Sequence, residues 1–89
     1  MNEKYCIVYA DGFTNERYYI ANTDPVTWSP DILSAKKYYT ISQADQDVIG
    51  DYRNYKSIKP LKDNGSIAKV YAVEINGKTN DEIRRVVIL

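Results

Sequence analysis

The chain has 89 residues and a formal net charge of zero, with 12 basic and 12 acidic side chains. This length fits one domain spanning residues 1–89. A content of 44% hydrophobic and 27% charged residues is typical of a globular fold and excludes a disordered chain. The absence of a net positive charge argues against general nucleic-acid binding, which needs a positive field to displace counterions from phosphate.

The side-chain inventory excludes most catalytic chemistry. Histidine is absent and Cys6 is the only cysteine. A Ser-His-Asp or Cys-His nucleophile therefore cannot be assembled, and one thiol cannot supply the ligands of a usual zinc site. We expect no enzyme activity, no metal and no cofactor. With no disulfide within the chain and no signal-peptide pattern in MNEKYCIVYA, we expect a cytoplasmic protein with no membrane partner.

The first part of the chain predicts a β-hairpin. Residues 4–9 are rich in β-branched and aromatic side chains, which favour a strand, and residues 17–20 supply the return strand. The connection is either a tight turn at Asp11-Gly12 or a longer loop that reaches Asn15. Turn-forming residues then predict a loop over residues 22–30. Ser29-Pro30-Asp31 predicts the start of one helical turn over residues 32–35, with a short extended piece at 36–39.

The main helix is predicted from about residue 41 to residue 54, capped by Thr40 or Ser42. Gly50 lies inside it and predicts an end or a bend there. Apolar residues at spacings of three and four form one stripe that faces a core: Ile41, Ala44, Val48, Tyr52 and Tyr55. Three aspartates on the helix form an acidic ridge, which is either a solvated face or a surface for a basic partner: Asp45, Asp47 and Asp51.

The last third of the chain predicts a loop and two strands. Pro60 and Asp63-Asn64-Gly65 predict a loop over residues 59–66. Side chains alternate over residues 67–75, which indicates a strand. Residues 83–89 predict the final strand, with a helix started by a capping box at 79–82 as the alternative. The order β-β-α-β-β predicts an α+β fold: a four-stranded antiparallel sheet with one main helix packed on one face and the other face partly open.

Several segments resemble those of a known group of proteins in their order and composition. These are the hairpin and the segments Trp28-Ser29-Pro30-Asp31, Ala35-Lys36-Lys37-Tyr38 and Thr40-Ile41-Ser42-Gln43-Ala44. Over residues 4–50 the chain resembles small uncharacterised proteins of phages and prophages of Gram-positive bacteria. Gly50 and the long loop after Lys56 depart from the pattern. The resemblance implies a phage accessory protein inside a bacterial host cell, a class that includes inhibitors of host defence.

The nine tyrosines make aromatic contact the leading candidate for function. Tyrosine combines a large apolar body with a polar tip and is enriched at binding surfaces. Adjacent strand residues face opposite ways, so one of Tyr18 and Tyr19 must point away from the helix. Trp28 is either an anchor for a partner or a cover for one end of the core. The candidate partner-binding residues, for which half-buried packing is the alternative role, are Tyr5, Tyr9, Tyr18, Tyr19, Trp28 and Tyr71.

Two basic pairs form a second candidate site. If Lys36 and Lys37 meet Arg84 and Arg85 in space, the four side chains would hold a phosphate; otherwise they are solvated surface. The sequence therefore predicts a non-enzymatic binding protein that occupies a surface of a host protein. The alternative is a small nucleic-acid or nucleotide binding module that uses an aromatic sheet face. A third hypothesis is an enzyme that acts through Asp, Tyr or Lys.

Overall fold

The computed structural model describes residues 3–89. They form an α+β fold in which five antiparallel strands make one sheet, in the order β3-β2-β1-β4-β5, and two helices follow the first three strands. The elements in chain order are β1 (Lys4–Gly12), β2 (Arg17–Asn22), β3 (Thr27–Ser29), a 3-10 turn (Ile32–Ser34), α1 (Ile41–Val48), α2 (Tyr52–Asp63), β4 (Ile67–Asn76) and β5 (Glu82–Val87).

The α+β class and the antiparallel sheet are confirmed, but the prediction of four strands is wrong. The additional strand, β3, lies inside the predicted loop and pairs with β2, so that Trp28 is opposite Ile20. Three residues are too few to produce a readable alternation of apolar and polar side chains. The predicted final strand is present as β5, and it forms an edge of the sheet.

The single predicted helix is two helices, because the chain breaks at Gly50. A Cβ atom at this position would lie 2.7 Å from the backbone oxygen of Gln46, so the tight turn requires glycine. The Asp51 side chain then starts α2 by accepting hydrogen bonds from the backbone N–H groups of Arg53 and Asn54. Asp51 therefore does not belong to the helix that carries Asp45 and Asp47, as the predicted ridge on one helix required.

The second helix runs through most of the predicted loop at residues 59–66 and ends at Asp63, with Pro60 inside it. Proline in a helix interior removes a backbone hydrogen bond and normally stops the helix. Here Ile58 is fully buried and Leu61 packs against the same core, one turn apart on the same side of the helix. This burial outweighs the local preference of Pro60.

The two faces of the sheet are different. Both helices pack on one face, over a core of nine buried residues: Val8, Ala10, Ile20, Ala44, Val48, Ile58, Ile67, Val70 and Ala72. The opposite face, here called the open face, carries a smaller cluster: Ile7, Tyr9, Ala35, Val73 and Ile75. The alternation predicted for β4 is therefore the one that the structure has.

Two connections complete the fold: the loop of the first hairpin and the segment after the 3-10 turn. The first hairpin has the longer of the two predicted loops: β1 continues to Gly12, whose N–H donates to the Glu16 carbonyl at 2.6 Å. The segment after the 3-10 turn is extended, as predicted. It lies along β1, where Tyr38 and Cys6 exchange two backbone hydrogen bonds of 2.8 Å.

Candidate functional site

Four of the predicted tyrosines form one layer on the open face of the sheet. This tyrosine layer consists of Tyr5, Tyr9, Tyr19 and Tyr71. Tyr9 on β1 lies opposite both Tyr19 on β2 and Tyr71 on β4. Its ring centroid is 5.9 Å from that of Tyr19 and 5.2 Å from that of Tyr71, distances at which aromatic pairs attract each other. The register of the three strands therefore brings these side chains together.

Three of the four rings of the tyrosine layer are already covered by cationic side chains of the protein itself. The guanidinium of Arg17 lies 4.0 Å from the Tyr9 ring centroid, and that of Arg85 lies 4.9 Å from the Tyr71 centroid. Lys37 covers Tyr5 in the same way at 4.8 Å. Such contacts are attractive because the ring face carries partial negative charge. The layer is thus packed under basic side chains and is not a bare aromatic platform.

Tyr9 at the centre of the layer is 1% exposed. Its hydroxyl accepts a hydrogen bond from Arg85 at 3.0 Å and donates one to Glu82 at 3.2 Å. Burial raises the pKa of Tyr9, so the phenol stays neutral at physiological pH. Tyr9 is therefore a packing residue whose hydroxyl connects β1 to the edge strand β5.

The other two predicted aromatics, Tyr18 and Trp28, line a groove at the hairpin end of the helix-covered face. This aromatic groove has a volume of about 430 Å³ and is lined by Phe13, Glu16, Tyr18, Trp28, Leu61, Ser66 and Ile67. A volume of this size is within the range of known binding pockets. Phe13, in the hairpin turn, is 83% exposed. Phe13 therefore adds open aromatic surface to a concave site.

Gly12 allows two side chains to close over the strand at the groove. A Cβ atom on Gly12 would lie 2.8 Å from Cε2 of Tyr18 and 2.9 Å from Oε1 of Glu16. The Glu16 carboxylate accepts hydrogen bonds from the hydroxyls of Thr14 and Tyr18. The hydrogen bond from Thr14 is the main cause that lowers the pKa of Glu16. The groove thus carries an ionised carboxylate beside its rings at neutral pH.

The two basic pairs do not converge on one site. Lys36 reaches the helix-covered side, where its Nζ lies 3.0 Å from Oδ2 of Asp47, whereas Lys37 covers Tyr5 on the open face. Arg84 and Arg85 are likewise adjacent strand residues; Arg85 lies on the tyrosine layer and Arg84 is opposite Glu74 on the other side of the sheet.

A polar network joins the first helix to the loops around it. The Asp47 carboxylate accepts hydrogen bonds from Thr23 at 3.0 Å, from Lys36 at 3.0 Å and from Tyr38 at 2.5 Å. Burial and the neighbouring Asp47 raise the pKa of Tyr38, so its hydroxyl remains a donor. The buried Asn54 accepts from the Asp24 N–H and donates to the Asp47 carbonyl, both within 3.0 Å. This network holds the turn that leads into β3 and Trp28.

Five residues that line the groove were not among the predicted site residues: Phe13, Glu16, Leu61, Ser66 and Ile67. Phe13 carried a usable signal, since a large aromatic residue in a hairpin turn has little core to contact. Leu61 lies near the end of α2, in the segment predicted as loop, and Ile67 begins β4, as predicted. That both line one groove follows only from the tertiary structure.

Within residues 3–89, no three side chains of the kinds that ligate metals lie together, and no helix in that range has the length and hydropathy needed to cross a membrane. Comparison of the chain with protein-family models, with curated proteins and with solved structures gives no match in any of the three.

Proposed function

We propose that the chain is a non-enzymatic binding protein that occupies a surface of a host protein through its aromatic groove. The observation that carries this proposal is the exposure of Phe13 beside the half-buried rings of Tyr18 and Trp28 in a concave surface. Trp and Tyr supply a large share of the binding energy at protein interfaces, because they bring much contact area with few rotatable bonds. The resemblance to phage and prophage proteins supplies the setting, the cytoplasm of a bacterial host, and inhibition of host defence as a role.

The shape of the groove favours a segment of a protein as the partner. Leu61 and Ile67 give it an apolar lining beside the three aromatic rings, and Glu16 and Ser66 add polar groups. An apolar centre with polar groups around it is the usual arrangement of a protein interface. A partner side chain that enters the groove would bury Phe13 and the exposed parts of Tyr18 and Trp28.

The second candidate function is nucleic-acid binding on the open face. It is supported by Arg17, Lys37 and Arg85, which combine positive charge with the rings of the tyrosine layer. A base would have to displace these cations from the ring faces before it could stack. The groove rings need no such displacement, which is why we place the groove first.

Affinity capture from host-cell extract tests the proposal with a matched pair of variants. Phe13→Ser removes the exposed ring of the groove. Leu33→Ser removes a side chain of similar exposure, 80% against 83%, from the 3-10 turn outside the groove. Neither change opens a cavity, so both variants should keep the thermal stability of the wild type within the small range of surface substitutions. We expect one protein that is retained by the wild type and by Leu33→Ser and is lost with Phe13→Ser.

Two results of the capture experiment would argue against binding through the groove. A captured protein that is retained equally by Phe13→Ser would contradict binding through the groove. Captured nucleic acid that is released when the salt concentration is raised from about 50 mM to about 200 mM would favour the second function, because phosphate contacts weaken steeply with salt.

A further inference from the structure

The chemistry of the aromatic groove is that of a cation site. Three of its seven lining side chains are aromatic, and its one charged side chain is the Glu16 carboxylate. Ring faces attract cations through their quadrupole, and the carboxylate attracts them through its charge. Both features therefore favour the same kind of ligand.

On its open face, the protein already binds one of its own arginines through an aromatic ring and an oxygen acceptor. The Arg85 guanidinium lies over the Tyr71 ring while its Nη1 donates to the Tyr9 hydroxyl at 3.0 Å. A ring face with an oxygen acceptor next to it thus holds one guanidinium by two contacts at once. The groove offers a similar combination, since the Tyr18 hydroxyl donates to Glu16 Oε1 at 3.4 Å and the Trp28 ring lines the same groove.

We propose that the groove receives an arginine side chain of the partner protein, packed against the aromatic rings and paired with the Glu16 carboxylate. This inference rests on the proposed function, which it makes more specific. Arginine fits better than lysine, because its guanidinium is planar, is more weakly hydrated, stacks on aromatic faces and pairs with carboxylates through two parallel hydrogen bonds.

The remaining contacts are consistent with a long basic side chain. The apolar side chains of Leu61 and Ile67 in the lining suit the methylene stem of arginine, which prefers apolar surface while its head stays polar. The Glu16 carboxylate already accepts from Thr14 and Tyr18. An ionised carboxylate has about four acceptor positions, so capacity for a guanidinium remains.

A peptide titration followed by NMR tests the inference. The first probe is a blocked glycine-rich pentapeptide with arginine at its centre. The second has citrulline there, which has the same shape without the charge. Trp28 is the only tryptophan, so one indole N–H signal reports on the groove. We expect the arginine peptide to shift that signal with a dissociation constant on the order of millimolar, and the citrulline peptide to bind at least about threefold more weakly.

Variants of the protein test which residues cause the preference for the arginine peptide over the citrulline peptide. Glu16→Gln should abolish the difference between the two peptides. Glu82→Gln removes the same charge from the open face and should leave the difference intact. Phe13→Leu, which keeps an apolar side chain but removes a ring, should reduce the arginine affinity about twofold to fivefold. Glu16 and Phe13 are both exposed, so these changes test binding in a folded protein.

Three results of the titration would overturn the arginine assignment. Equal binding of the two peptides would overturn the arginine assignment while leaving a groove that binds protein segments. No shift with either peptide would also overturn it, and the proposed function would then stand or fall on the capture experiment with Phe13→Ser. Choline, added as a third probe, would overturn the assignment to a protein side chain if it bound more tightly than the arginine peptide.

Discussion

Replacing Asp47 with asparagine should lower the free energy of unfolding by about 1–2 kcal/mol. The carboxylate accepts three hydrogen bonds, from Thr23, Lys36 and Tyr38. A hydrogen bond to a charged group is worth about 1.5–3 kcal/mol when it is well shielded from water. The Asp47 side chain is 31% exposed and that of Lys36 is 35% exposed, so solvent screening reduces the sum. Asparagine keeps one acceptor oxygen, which reduces the loss further.

The loss of unfolding free energy caused by Asp47→Asn should depend on pH, and the direction follows from the pKa of Asp47. Burial alone would raise the pKa of Asp47, but the hydrogen bonds from Tyr38, Lys36 and Thr23 outweigh burial and lower it. A carboxyl whose pKa is lower in the folded state stabilises the fold fully above its unfolded value of about 3.9, and this stabilisation is lost as the pH falls through the folded value. The deficit of Asp47→Asn should therefore be constant from about pH 5 to about pH 7 and shrink below about pH 4.

Urea unfolding at neutral pH and at about pH 3 measures both parts of the prediction. Asp45→Asn is the matched control, because Asp45 is on the same helix and is exposed. It should change the free energy of unfolding by less than about 0.5 kcal/mol. A deficit of Asp47→Asn that is the same at both pH values, or a control that loses as much, would refute the role assigned to this network.

Three further substitutions test separate parts of the structure. Val48→Asp buries an unpaired charge in the helix-covered core and should lower the free energy of unfolding by several kcal/mol in urea, whereas Val87→Asp on the exposed edge strand should change it by less than about 0.5 kcal/mol. Tyr9→Phe removes a buried hydroxyl and should lower the midpoint of thermal unfolding by about 4–8 °C. Gly12→Ala displaces the Tyr18 ring and the Glu16 carboxylate, so it should weaken partner capture while the thermal midpoint stays within a few degrees; capture at the wild-type level would show that the partner does not use the groove.

The parts of the fold that the sequence predicted are those in which local preference and tertiary contacts agree. β1, β2 and β4 combine β-forming residues with an alternation that the sheet uses directly. The second helix shows the opposite case. Pro60 and the turn-forming residues after it favour a loop, but burial of Ile58 and Leu61 against the sheet keeps this segment helical. That burial depends on residues distant in sequence.

The candidate site was predictable only in part for the same reason. The strand alternation was enough to predict that one of Tyr18 and Tyr19 faces away from the helix, but not which one. Trp28 was a candidate because of its chemistry alone. The groove itself depends on the pairing of β3 with β2 and on the length of α2, and neither was predicted. Nor did the sequence indicate that Arg17, Lys37 and Arg85 would cover the tyrosine layer.

Site-specific photo-crosslinking tests the central claim, binding through the aromatic groove, most directly. A photoreactive phenylalanine analogue takes the place of Phe13 in one variant and of Tyr39 in another. The two positions have similar exposure, 83% and 87%, and only Phe13 lines the groove. After irradiation in host-cell extract, we expect a protein adduct from the Phe13 position and none from the Tyr39 position. An adduct from the Tyr39 position alone, or a nucleic-acid adduct from either, would contradict the account.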